Sequence, residues 1–434
     1  MADFLLIGTI IFAFLILMMA GLHIHSILLG IGIFGLIYLE GFKIISGFLS
    51  QDPFSQIASY TLTTIPLYII MAQFILKAGI VQDAFTMIYN VSRGRPTVLG
   101  ALTIVVGGFL GAVSGSGAAT AASLGQVAVP ELKNYGYKPE LAGAISAASG
   151  SLSGIIPPSI ILILYGVITE TPISDLFIGA IIPGILAILV LVTCVFVMYK
   201  DQRPNTERLK TESKKLSFKR LLIVNCAGIF IFTVTFGGIY SGFVTPTEAG
   251  AVGALAAFLT ALLLGKVNWS FIKSSVAETA KVTGMIVLIL IGARIFGRFV
   301  SLSLLPRKIT DLLEGILQYP ILTLFILTAI FFVLFMFVEG AAVILMTLPI
   351  LLPIIEAVQI DVLWFGVFVS VICTLGLITP PVGLSVYAVA GTSGIPAVGI
   401  FKYAMILAFV VTIFVCGAMI LIPEIVTWLP STIK

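Results

Sequence analysis

The chain has 434 residues, of which 59% are hydrophobic and only 10% charged; soluble domains carry about 25% charged residues, so a soluble globular protein is excluded. The formal charge of +4 is too small to hold a polyanion, which removes nucleic acid from the partners. Long apolar runs with short polar gaps predict an all-α polytopic membrane protein of roughly ten or more spans, each of about 20 residues.

The first apolar stretch, Phe4 to Ala20, lacks a basic leader and a small-residue cleavage site and reads as a retained span. Candidate spans fall near residues 5–20, 24–40, 62–79, 97–113, 174–199, 221–240, 245–265, 283–302, 321–337 and 398–422. Polar punctuation separates them at 51–56, 92–97, 131–140, 266–281, 306–320 and 356–361. Lys200 to Arg220 holds eight basic and three acidic residues. That makes it a cytoplasmic loop by the positive-inside rule, dividing the chain into halves at 1–199 and 221–434. His23 and His25 flank the first gap on opposite sides of a helix. Cys194, Cys226, Cys373 and Cys416 lie far apart in apolar runs and read as buried small hydrophobes, so no metal site is expected.

Four stretches, 114–129, 140–168, 338–355 and 362–391, are not simple spans, because Gly, Ser, Thr and Pro interrupt them. Pro96 begins an apolar run ending in GAVSGSGAATAAS, and AASGSLSGIIPPSIILILYG follows; Pro320 begins a run ending in FVEGAAVILMTLP, and CTLGLITPPVGLSVYAVAG follows. Pro96 precedes Ser116 by 20 residues, as Pro320 precedes Gly340; Ser116 precedes Pro158 by 42, and Gly340 precedes Pro381 by 41. This shared register marks an internal duplication with interrupted helices in matching places, the sequence pointer to a secondary transporter's binding site.

Irregular backbone at membrane depth must be buried in protein or line a cavity. Each proline pair removes two amide donors and leaves carbonyls of the preceding turn unpaired. Those carbonyls, with the hydroxyls of Ser114, Ser116, Ser153 and Thr379, suit a bare alkali cation. The new helix N-termini present free amides to an anion. Ala118 to Ala122 and Ala142 to Ala148 read instead as close-packing surfaces. Charges inside the membrane are functional candidates by default: Glu339 stands where the first repeat has Gly115, and Arg294 and Arg298 share a helix face one turn apart. Either arginine suits a carboxylate substrate, an acid on a neighbouring helix or an interfacial position. Thr245, Pro246 and Glu248 have capping-box spacing and predict a helix start.

The combination SGSGAATAAS, GSLSG with IPPSIILILYG, GFVTPTEAGAVGAL and GLITPPVGLSVYAVAG resembles the large membrane subunit of tripartite ATP-independent periplasmic (TRAP) transporters, of the sialic acid or C4-dicarboxylate type, over essentially the whole chain. The resemblance implies two inverted repeats, each with a re-entrant helical hairpin and a broken helix, in an elevator-type carrier. It implies sodium as coupling ion, a separate small four-helix membrane subunit, a periplasmic substrate-binding protein, and a place in the bacterial inner membrane. By the same resemblance, sodium ligands fall on Ser114 and the hairpin-tip positions Ser153, Ile156 and Pro158, and on Gly340, Gly376, Thr379 and Val382. Substrate contacts fall on Ser116, Glu339 and Arg298. Proton coupling through Glu339 is the rival reading. A serine hydrolase has no histidine beyond the N-terminal pair to serve as its base, and a passive channel does not account for the duplicated breaks.

Overall fold

The computed structural model describes residues 9, 12–14, 16–17, 20–42, 47, 54, 58–92, 95–200 and 218–432. The expected first span at 5–20 and the polar gap at 51–56 lie largely outside the described residues, and the basic loop lies outside them except at its ends. The described residues form helices and no strand, and seven helices are long and apolar enough to cross a membrane.

Helices α1 (Ile24–Glu40) and α2 (Thr64–Lys77) pack with α11 (Pro246–Leu263) and α12 (Trp269–Leu302) as one layer. Glycines set the α1–α12 seam: Gly32 and Gly35 lie against Phe296 and Phe299, which leave no room for a Cβ. The capping box at α11 is present, with Glu248 Oε2 accepting from Thr245 N at 2.7 Å and Thr245 Oγ1 accepting from Glu248 N at 3.3 Å. Two corrections concern α12 and the histidines. The polar stretch 266–281 is a gap only up to Asn268, which caps α12 by accepting from Phe271 N at 2.8 Å; the rest is the first part of a helix that runs 34 residues. His23 is extended where α1 starts, so its ring lies 5.4 Å from that of His25 rather than on the opposite side.

The second layer holds the duplicated elements. In the first half these are α3 (Ile80–Ser92), α4 (Pro96–Ser114), α5 (Gly117–Asn134), α6 (Pro139–Ser151), α7 (Ile160–Thr169), α8 (Ile173–Gly179) and α9 (Ile181–Lys200). After α10 (Phe218–Phe232), the second half repeats the plan with α13 (Leu305–Leu317), α14 (Pro320–Phe337), α15 (Gly340–Ala357), α16 (Val362–Gly376), α17 (Leu384–Ser393) and α18 (Ala397–Val411). Pro96 and Pro320 both open their helices, where a missing amide hydrogen costs nothing. The stretch 306–320, read as a gap, is mostly the short helix α13, which stands before the second hairpin as α3 stands before the first. Cys194, Cys373 and Cys416 are buried, but Cys226 is exposed on α10.

Side-chain contacts fix the directions. Gly107 lies against Leu124, as far before the Gly115–Ser116 turn as Leu124 is beyond it, so α4 and α5 fold back as a hairpin. Gly107 and Gly111 on α4 also meet Ser149 and Ser153, so α4 runs parallel to the span that begins with α6. Likewise Phe331 meets Phe365 edge to face at 5.9 Å and Phe335 lies against Gly376, so α14 runs parallel to α16 and α15 returns antiparallel. Hairpin 1 opens at the Lys200 end, where Tyr199 donates to Tyr135 O at 3.2 Å and Gly399 meets Glu140. Hairpin 2 opens at the other end, where Tyr165 Oη donates to Val362 O at 2.7 Å. The two repeats are therefore inverted.

One expectation about the breaks is corrected. The segments around Pro157–Pro158 and Pro380–Pro381 are not hairpin tips. α6 and α7 make almost no contact with each other, nor do α16 and α17, and each pair has different neighbours. They are two in-line halves of broken spans, and the tips are Gly115–Ser116 and Val338–Glu339. Each second half crosses to the other repeat: α7 packs on α15, and α17 on α5.

Candidate functional site

The hairpin tips and span breaks meet at the middle of the second layer. At tip 1, Gly115 adopts φ +62°, which glycine alone takes without strain, and lets the chain reverse. Ser116 then caps α5, its Oγ accepting from Ala119 N at 3.4 Å. Ser114 is buried, with its Oγ within reach of Gly111 O at 3.1 Å and of Thr120 Oγ1. Ser114 Oγ also accepts from Ser116 N at 3.3 Å, so this hydroxyl ties both sides of the tip together.

Break 1 lies directly against this tip. Gly111 faces the backbone nitrogen of Ser153, and a Cβ there would stand 3.1 Å from it. Ser159 closes the break, its Oγ donating to Gly154 O at 2.7 Å and accepting from Leu162 N at 3.5 Å to cap α7. Ile156 points its side chain onto Gly108 and Gly184. Pro157 and Pro158 back onto an apolar crevice of about 350 Å³ beside α2, α3 and α10. Ser114 and Ser153 are thus brought together, whereas Ile156 and Pro158 have side chains turned to apolar surroundings and only their backbone carbonyls to offer.

The second half repeats the contact with the glycine on the other partner. By the register of Pro96 with Pro320, Phe335 corresponds to Gly111, and by that of the proline pairs Gly376 corresponds to Ser153; Gly376 lies against the Phe335 backbone. A serine can stand at 153 because the clearance needed for tip-to-break contact is supplied there by Gly111. Val382 N donates to Met336 O at 3.3 Å, and Gly340 abuts Cys373. Buried Thr379 donates to Leu375 O at 2.7 Å, which leaves its oxygen lone pairs unused. Gly340, Gly376, Thr379 and Val382 are therefore all within one knot of backbone.

Sequence reasoning missed Ser385, the second residue of α17. Its Oγ is fully buried with no hydrogen-bond partner among the described residues. Both Ser385 Oγ and Ser153 Oγ converge on Gly117, within 3.4 Å of where a Cβ would stand. A hydroxyl from the second repeat thus enters the site of the first, a placement the linear sequence does not announce. The close-packing reading of the alanine stretches holds: a Cβ on Gly150 would fall 2.6 Å from Ala121 N.

Glu339 occupies the cap position of α15 with an exposed side chain. Its carboxylate faces the positive end of that helix. Arg298 is not beside it. With Arg294, Arg298 lines a vestibule of about 950 Å³ between the two layers, which neither Ser116 nor Glu339 lines.

The family described as "Tripartite ATP-independent periplasmic transporter, DctM component" matches residues 11–427. The chain is 30% identical to the sialic acid TRAP transporter large permease protein of Vibrio cholerae, over 89% of this chain and 90% of that one. It is 28% identical to the C4-dicarboxylate TRAP transporter large permease protein of Pseudomonas aeruginosa, over 86% of this chain and 85% of that one. In fold it is similar to the YdaH transporter of Alcanivorax borkumensis, with a TM-score of 0.62 at 11% identity, covering 90% of this chain and 88% of that one. With a match over nearly its whole length, the chain belongs to the DctM component of the tripartite ATP-independent periplasmic transporters, a family of permeases and not of enzymes.

Proposed function

We propose that the chain is the large membrane subunit of a sodium-coupled carrier in the bacterial inner membrane, importing a carboxylated organic solute. The relatives' names support sialic acid, another sugar acid or a C4-dicarboxylate as that solute. A periplasmic binding protein delivers it, and a separate small four-helix subunit completes the membrane unit. The observation that carries this reading is the pair of tip-and-break knots built in register from hydroxyls and carbonyls. Such hard, neutral oxygens fit a monovalent hard cation better than a transition metal, and the unpartnered Ser385 hydroxyl is the kind of group that a bound cation satisfies.

Ser114, Ser153, Ile156 and Pro158 would hold one ion, and Gly340, Gly376, Thr379 and Val382 another. A bound ion supplies positive charge near Ser116 and Glu339. Ser116 caps α5 and Glu339 stands at the N-cap position of α15, and the first amides of both helices face an incoming anion; Arg298 would meet the solute in the vestibule instead. The tips and breaks are one packed body that meets the first layer chiefly along α2–α4 and α12–α15. Such an interface suits rigid-body sliding of an elevator.

Sodium and pH gradients imposed separately on proteoliposomes containing both membrane subunits, with the binding protein outside, test the coupling. Uptake driven by sodium alone is expected. Uptake driven by a pH gradient without sodium overturns it and favours proton coupling through Glu339, the acid that stands at tip 2.

A further inference from the structure

The vestibule is separate from the knots. Its walls are, on the first layer, the start of α2, the start of α11 and the last turns of α12; on the second layer they are the Glu170–Ser174 turn and the outer part of α15. The α12 end and the α11 start lie away from Lys200, as does the 170–174 turn. By the positive-inside rule the vestibule therefore opens to the periplasm.

Arg294 and Arg298 are both exposed into this space, one helical turn apart, with Cβ atoms about 5–6 Å from each other. Among the described residues Arg294 has no carboxylate in ion-pair contact. Glu170 is the acid on the facing wall. Gly297, between the arginines, faces Pro349 on α15. Glu339 lies ten residues before Pro349 on that helix, about 15 Å away along its axis, beyond the reach of either arginine.

On these grounds we infer that Arg294 forms a receiving station for the solute's carboxylate on α12, distinct from the hairpin-tip site and occupied before it. The inference rests on the proposal that the chain imports an organic carboxylate. The planar Arg294 guanidinium can take one carboxylate bidentately. An arginine exposed in a concave cleft also concentrates anions at its mouth. Because the station is on the layer that holds no sodium ligands, its occupancy is independent of sodium.

The test uses the reconstituted two-subunit complex with native cysteines replaced and Thr61→Cys, in the vestibule wall, as reporter. Labelling rates are compared for anionic and cationic methanethiosulfonates added from the vestibule side. The anionic reagent is expected to be favoured, and Arg294→Gln to lower that preference by about tenfold. Succinate or N-acetylneuraminate should slow labelling without sodium, equally in Glu339→Gln, but not in Arg294→Gln; Arg294→Lys, which keeps the charge, should retain protection. Protection by neither acid, protection that survives Arg294→Gln, or protection lost equally with Glu339→Gln overturns the station. Loss of sodium-driven uptake with protection intact would instead count against the coupling proposal.

Discussion

Replacing Gly376 with alanine tests whether tip-to-break contact builds the second of the proposed ion sites. Gly376 has an ordinary helical backbone, so its dihedral angles accept alanine, and helix propensity alone favours the change by up to about 1 kcal/mol. The new Cβ, however, would meet the Phe335 backbone, with the carbonyl carbon at 2.8 Å and the oxygen at 2.9 Å. Backbone cannot rotate away, so α14 and α16 must separate, and overpacking of this kind costs about 1–3 kcal/mol. If that displacement falls wholly on the ion site, sodium half-saturation rises by roughly 5- to 150-fold. Gly391→Ala on α17 is the control, since nothing lies within 4 Å of its Cβ position; it should be neutral or slightly stabilising. The assays are thermal unfolding in detergent and sodium dependence of uptake in proteoliposomes. A Gly376→Ala protein as stable as Gly391→Ala, with an unchanged sodium response, would show that the contact does not shape the site.

Ser385→Ala removes an unsatisfied buried hydroxyl, so in sodium-free buffer it should leave stability unchanged or raised. The stabilisation that sodium confers should shrink in this variant if Ser385 is a ligand; equal sodium-induced shifts in melting temperature would remove Ser385 from the site. Glu339→Gln keeps the shape of the α15 cap but removes its charge, and substrate uptake at limiting concentration should fall at least tenfold. Unchanged uptake kinetics would place Glu339 outside the solute's path. Thr245→Ala breaks the α11 capping box and should cost about 1 kcal/mol, read as a lower unfolding temperature with unaltered substrate KM. A KM change would mean that Thr245, which also lines the vestibule, touches the solute.

The duplication was legible because proline and glycine act locally: Pro96, Pro320 and the two proline pairs mark backbone that cannot continue a helix whatever surrounds it. Ser114, Ser116 and Glu339 were legible as polar residues in otherwise apolar stretches. The division into hairpin and broken span was not. Gly115–Ser116 and Pro157–Pro158 are both helix interruptions, and whether a chain folds back or carries on depends on contacts such as Gly107 with Leu124. The exchange of glycine between Gly111 and Gly376 was hidden for the same reason, since it exists only across two segments. Helices α3 and α13 escaped notice because their mixed polarity resembles that of a loop.

The crossing of α7 onto α15 and of α17 onto α5 bears on where such a molecule comes from. A lone repeat would leave one side of the returning arm of its hairpin uncovered and its own second half-span without a seat. Two copies inserted in opposite senses would cover each other in the same way as the halves of this chain. The fold therefore has the form of an antiparallel pair with exchanged arms, and joining the two halves in one chain fixes a stoichiometry that two free copies would have to find in the bilayer.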